Sequence, residues 1–301
     1  MLNLKNGLGF LALLTILWIP QKANEFDKPL AQVKGLAVFS ESAERIPSAP
    51  ELATAELPPD LLAKTGLAYD NSSGTILYSR NMDEKLPIAS VTKLMTALVV
   101  MDRLDLDRTI EVKAEDIRVV GSNMGLVPGE RIKGLDLLKG MLIPSSNDAA
   151  KVLAAAAGGT EENFVGMMNQ KAKDLGLDST HFSNPVGLDD PENYSSGRDL
   201  LRLAQEFIKD DTLNSIASTK SERVASTDGK LKHDLRSTNK LLLEDGRVIG
   251  LKTGYTSLAK GNLITRIEDG GKDIITIILN SDEREEDTRK LINWVTAAYR
   301  W

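Results

Sequence analysis

"VIGLKTGYTSLAKGNLITRIEDGGKDIITIILN" (248–280) reads as three successive β-strands. Branched and long aliphatic residues fill 248–256, 261–267 and 273–280, and the run from Glu268 to Lys272 supplies the turn residues of a tight hairpin between the last two. Beyond it, Leu291, Trp294, Val295 and Ala298 share one face of a terminal helix. The acidic and basic lead-in of that helix suits packing on a core rather than lying on a membrane. Strand signals return far upstream, where "GLAYDNSSGTILYSRN" (66–81) is two β-type runs around a turn. The middle of the chain is helical. In "PIASVTKLMTALVVMDRL" (87–104), Leu94, Ala97, Leu98, Met101 and Leu104 fall on one helical face. Further helical patterns run through 135–157, broken near Pro144, and through 161–175 and 198–209. Strands at both ends around a helical middle predict one α+β domain over 62–301, an antiparallel sheet flanked by terminal helices with a helical subdomain.

Bulk properties narrow the chemistry. The 301 residues are 42% hydrophobic, enough for a sizeable core, and the net charge of −6 with no basic run argues against nucleic acid as a partner. Cysteine is absent, which removes disulfides and thiolate chemistry. The two histidines, His181 and His233, lie too far apart in sequence for a helical zinc motif, so neither metal nor cofactor is expected. "MLNLKNGLGFLALLTILWIP" (1–20) carries one early cation, Lys5, then an apolar run from Leu8 to Ile19 closed by Pro20. That run is short for a membrane span and suits a signal-peptide core. Residues 1–23 are therefore expected to be a signal peptide or a retained N-terminal anchor. Export to the periplasm or the outer face of the cytoplasmic membrane follows, with membrane contact only through this segment. Residues 24–61, rich in proline and charge, read as a linker.

Three short motifs recur: Ser-x-x-Lys at 90, 237 and 257, Ser-x-Asn at 145 and 237, and Lys-Thr-Gly at 64 and 252. Context separates them. Ser90 opens the amphipathic helix, so Ser90 and Lys93 stand one turn apart on one face at its start. A lysine within hydrogen-bond reach can take a serine's proton when the amine is partly neutral, and free helix N–H groups favour a developing oxyanion. Lys252, Thr253 and Gly254 end a strand, where a glycine would let a substrate chain lie against the edge. The copy at Lys64 precedes any candidate nucleophile and reads as strand lead-in.

The ordered set Ser90-x-x-Lys93, Ser145-x-Asn147 and Lys252-Thr253-Gly254 resembles that of the penicillin-recognising serine enzymes. The blocks "PIASVTKLMTA", "SSNDAA", "HFSNPVGLDD" and "STNKLL" followed by "VIGLKTGYTSLAKGNL" are more similar still to the low-molecular-mass D-alanyl-D-alanine carboxypeptidases. The resemblance spans about 62–301 and implies a β-lactamase/DD-peptidase-like fold. It also implies roles. Ser90 would be the nucleophile, Lys93 its general base and Ser145 a proton relay toward the leaving amine. Asn147 would bond the substrate's acyl-side amide, Lys252 would supply positive field and Thr253 would bind the terminal carboxylate. The backbone N–H groups of Ser90 and Tyr255 would form the oxyanion hole. Mutual repulsion of Lys93 and Lys252 is expected to lower one amine's pKa. The implied partners are peptidoglycan stem peptides, with β-lactams as inhibitors. A cross-link-cutting DD-endopeptidase, a β-lactamase and an inactive wall-binding scaffold are the alternatives. Ser237-Thr238-Asn239 matches a family block and reads as structural, and the Glu-x-x-Leu-Asn block of class A β-lactamases is missing between Asn147 and Lys252.

Overall fold

The computed structural model describes residues 48–301. The expected leader over 1–23 and most of the expected linker lie outside the described residues. Among the described residues, no helix is long and apolar enough to cross a membrane.

Five antiparallel strands form the main sheet, in the order Val248–Thr256, Lys260–Asp269, Lys272–Ser281, Thr65–Asp70 and Thr75–Arg80. The hairpin expected around Gly270 is present. Asp269 faces Lys272 across a two-residue loop, with Gly270 and Gly271 at φ of 56° and 86°, values that glycine adopts without a Cβ penalty. Strand Lys272–Ser281 explains its own unbroken apolar run. Ile275, Ile277 and Leu279 join one core and Ile274 and Ile278 another, because both faces of the sheet are covered. Each such isoleucine contributes about 1.5–3 kcal/mol by leaving water. The first core is shared with helices α1 (Lys93–Arg103) and α5 (Gly197–Ile208), the second with the terminal helix Arg284–Ala298.

The helical subdomain packs α2 (Gly134–Leu142), α3 (Asn147–Gly158) and α4 (Glu161–Asp174) around α1. Gly159, at φ 75°, ends α3, and the Thr160 hydroxyl caps α4 by accepting from Asn163 N at 3.2 Å. α1 is buried nearly all round, as its apolar run from Leu94 to Val100 requires.

Some elements were not foreseen. Ser221–Ala225 pairs with Lys232–Arg236, Thr109–Glu111 pairs with Arg131–Lys133, and a short helix spans Asp211–Ala217. The first hairpin alternates charge with few apolar residues, so its strand signal is weak; it buries chiefly Val224, His233 and Leu235. Within the stretch read as linker, Glu51–Leu52 pairs with Tyr299–Arg300. The backbone N–H groups of Leu62 and Ala63 then donate to the buried Asp287 carboxylate at 3.0 and 2.8 Å. In the terminal helix Leu291, Val295 and Ala298 are buried, and Trp294 packs edge-on to Tyr78 at 6.1 Å.

Candidate active site

Ser90 lies in a turn of 3-10 helix, Ala89–Thr92, that runs directly into α1. The residue before it, Ala89, has a φ of 49°, a left-handed conformation that a non-glycine residue adopts at a cost of about 1–2 kcal/mol. Two glycines make room for this turn. A Cβ on Gly187 would overlap the Ala89 carbonyl and come within 2.8 Å of Ser90 N, and one on Gly254 would lie 2.9 Å from Ile88 O. Gly254 therefore serves an end beyond the one its sequence position suggests. Its missing side chain admits residues 88–90, which lie against the strand at that point.

Lys93 Nζ sits 2.9 Å from Ser90 Oγ, 2.7 Å from Asn147 Oδ1 and 2.7 Å from the Val186 carbonyl. Two of these neighbours only accept hydrogen bonds, whereas a serine hydroxyl can donate. A neutral amine, with two hydrogens and one lone pair, satisfies all three. Burial pushes the Lys93 pKa well below its usual value, with the Lys252 charge as the second cause. Lys252 is equally buried, and that burial, reinforced by the Arg284 charge, lowers it to about 7. The repulsion expected between the two lysines is thus present, but desolvation outweighs it, and no carboxylate offsets either shift.

Ser145 breaks the chain between α2 and α3 at φ 63°, and its hydroxyl accepts from Lys252 Nζ at 2.7 Å. Asn147 begins α3, and its side-chain nitrogen donates to Val120 O at 2.6 Å. Lys252, Thr253, Gly254 and Tyr255 all lie on Val248–Thr256, an edge strand of the main sheet. Ser90, Ser145, Asn147, Thr253, Gly254 and Tyr255 line one cavity of about 250 Å³, while the Lys93 and Lys252 amines bond Ser90 and Ser145 from beneath. Lys64 directly precedes the strand Thr65–Asp70, and its backbone N–H donates to Leu279 O at 3.1 Å. Every residue singled out for the site is therefore gathered at one place, and the decoy copy is not.

Three participants escaped sequence reasoning. Thr238, from the block read as structural, lines the cavity, and its hydroxyl stands 2.7 Å from that of Thr253. Its neighbour Asn239 does cap a short helix by accepting from Leu242 N at 3.3 Å. Arg284, at the start of the terminal helix, lines the cavity and donates to Gly254 O at 2.7 Å. The third is the Val186 carbonyl. Asn184 Oδ1 accepts from the N–H groups of Val186, Gly187 and Leu188 at 3.2, 2.7 and 3.1 Å, which fixes the loop that presents it. Of the three, Thr238 and Val186 lie within blocks marked in the sequence, STNKLL and HFSNPVGLDD, whereas nothing marked Arg284.

A serine held against a depressed lysine, with a second lysine, two hydroxyls and an arginine across the cavity, is a layout for acyl transfer on a substrate ending in a carboxylate. The chain belongs to the D-alanyl-D-alanine carboxypeptidase family, peptidase family S11, which matches residues 52–283. It is similar to the D-alanyl-D-alanine carboxypeptidase DacF of Bacillus subtilis (strain 168), at 34% identity over 79% of this chain and 63% of that protein. The D-alanyl-D-alanine carboxypeptidase of Streptomyces sp. (strain K15) is also 34% identical, over 80% of this chain and 90% of that one. A crystal structure of the Streptomyces K15 DD-transpeptidase superposes with a TM-score of 0.76 at 32% identity, covering 80% of this chain and all of the other. The chain thus spans less than two thirds of the Bacillus relative and most of the Streptomyces one.

Proposed function

We propose that this chain is a serine DD-carboxypeptidase that removes the terminal D-alanine from peptidoglycan stem peptides through an acyl-enzyme, and that it acts after export. The observation that carries the reading is the buried, depressed Lys93 amine 2.9 Å from Ser90 Oγ. Lys93 takes the hydroxyl proton as Ser90 Oγ attacks the penultimate D-alanine carbonyl. The N–H groups of Ser90 and Tyr255 receive the oxyanion. Ser145, bonded to Lys252, passes a proton to the leaving amine. Thr253, Thr238 and Arg284 hold the terminal carboxylate, Asn147 bonds the acyl-side amide, and Gly254 keeps the turn carrying Ser90 against the strand. Water then releases the shortened peptide.

All of these groups come from the chain itself, so the proposal needs no cofactor. A penicillin presents a strained amide and a carboxylate at the same spacing and acylates Ser90 instead. The test is labelling with a fluorescent penicillin, followed by digestion of defined muropeptides. Wild-type protein, Ser237→Ala and Ser257→Ala are labelled, whereas Ser90→Ala is not; a labelled Ser90→Ala would overturn the assignment.

A second reading has support in the likeness to the Streptomyces K15 DD-transpeptidase. In that case the acyl group passes to an amine rather than to water. Cleavage of cross-links would make the chain a DD-endopeptidase. Product analysis on monomeric and cross-linked muropeptides, with and without an added amine, separates the three fates.

A further inference from the structure

The mechanism leaves one buried ionisable pair unused. His233 and Glu130 meet side chain to side chain, Nε2 to Oε1 at 2.7 Å, with the two side chains 6% and 0% exposed. The other ring nitrogen, Nδ1, faces the Met124 carbonyl at 3.0 Å. A carbonyl can only accept, so Nδ1 carries the hydrogen that bonds Met124 O.

Met124 belongs to the stretch 119–126, which has no helix or strand of its own and forms one wall of the cavity through Gly121 and Ser122. Most of this wall hangs from the start of α3. Asn147 N donates to Ser122 O at 2.6 Å, and the Asp148 carboxylate accepts from the N–H groups of Met124, Gly125 and Leu126 at 3.0 to 3.2 Å. The Val120 carbonyl in turn receives the Asn147 side chain, whose oxygen accepts from Lys93 Nζ. His233 holds the same wall at Met124 O. It lies on Lys232–Arg236, the strand that leads straight to Thr238, which lines the cavity with Thr253. One side chain thus ties both walls together.

We infer that His233, held by Glu130, is a positioning residue for acylation: it latches the 119–126 wall to the strand leading to Thr238 and so fixes Asn147 against Lys93. The inference rests on the reading of Ser90 as the acylated residue. His233 is not among the residues that line the cavity and reaches the wall through Met124 O.

A structural role alone would move stability and not the chemical step, so the test separates them. A buried pair can be exchanged for apolar residues of similar volume with little loss of fold. The double variant Glu130→Met, His233→Phe keeps a cooperative melt, and its limiting rate constant for acylation by a fluorescent penicillin falls about tenfold, the scale of a slight misplacement of reacting groups. His233→Asn, whose amide nitrogen can stand where Nδ1 does, stays within about threefold of wild type, whereas His233→Gln, with its donor displaced toward Glu130, falls with the double variant. A folded double variant that acylates at the wild-type rate overturns the latch. If the double variant does not fold, equal rates for the Asn and Gln variants overturn it. Wild-type protein that takes no label at Ser90 would instead remove the function on which the inference depends.

Discussion

A lysine amine shut away from water, with only a hydroxyl and a carbonyl for partners, costs the fold stability. Lys252 is 1% exposed, and its Nζ bonds Ser145 Oγ and Thr253 O. Its pKa falls from 10.5 to about 7 on folding. Between those two values the unfolded chain holds a proton that the folded one has lost, so this group makes stability rise with pH from about 7 to 10.5. Below that window both states are protonated and the full penalty applies. Lys252→Met should therefore stabilise the protein at pH 7, by about 1–4 kcal/mol, while acylation drops by about 10² or more. Lys64→Ala should change acylation little. Denaturant melts across pH and penicillin labelling read both quantities, and a destabilised Lys252→Met protein would refute the account. The residues of the candidate site were legible where spacing is local: Ser90 with Lys93, Ser145 with Asn147, and the run from Lys252 to Gly254. Arg284 was not, because it arrives from a helix start crowded with other charges, and only the folded chain brings it to Gly254 O. Gly254 has a further reason that the sequence did not show, since the chain's own turn approaches its backbone.

At the scale of elements, the loop around Asn184 and the turn before α1 work as one unit. Gly187 has a φ of 83°, and its backbone lies against Ala89 and Ser90. An added methyl there meets main chain, which cannot swing aside as a flexible side chain would. Gly187→Ala should push the Ser90 turn off its position and lower the acylation rate by about 10². It should also lose about 1–2 kcal/mol of stability from the left-handed backbone. Calorimetry with penicillin labelling checks this, and an alanine variant with unchanged labelling would show that the turn can relax. Nothing in a single sequence ties residue 187 to residue 89, so this contact was invisible before folding. Strands were legible in proportion to their burial. The apolar strands of the main sheet were found nearly to their ends, whereas Ser221–Ala225 and Lys232–Arg236 expose every second residue or more and carry charges. Those charges hid the hairpin that delivers His233 and Thr238.

For the whole molecule, the outcome of acylation depends on what surrounds the cavity. No carboxylate lines it among the described residues. The nearest acids in the loop 183–193 bond backbone instead: Asp189 accepts from Leu258 N at 3.3 Å, and Asp190 from Glu192 N at 2.8 Å. Rapid hydrolysis of a penicilloyl-enzyme needs a base placed to activate water. A long-lived adduct on the Ser90 peptide is therefore expected by mass spectrometry after mixing with benzylpenicillin; rapid turnover with no surviving adduct would make the chain a β-lactamase. The pairing of Glu51–Leu52 with Tyr299–Arg300 has a separate consequence. Tyr299 also donates its hydroxyl to Leu77 O, on the edge strand of the main sheet opposite the one that carries Lys252. Four strand spacings, about 19 Å, separate those two edges. The molecule is thus suited to circular permutation. A short Gly-Ser bridge from residue 301 to residue 48, with new ends opened between Gly270 and Gly271, reorders the chain without touching the catalytic edge. Such a permutant should fold and still take up penicillin at its serine.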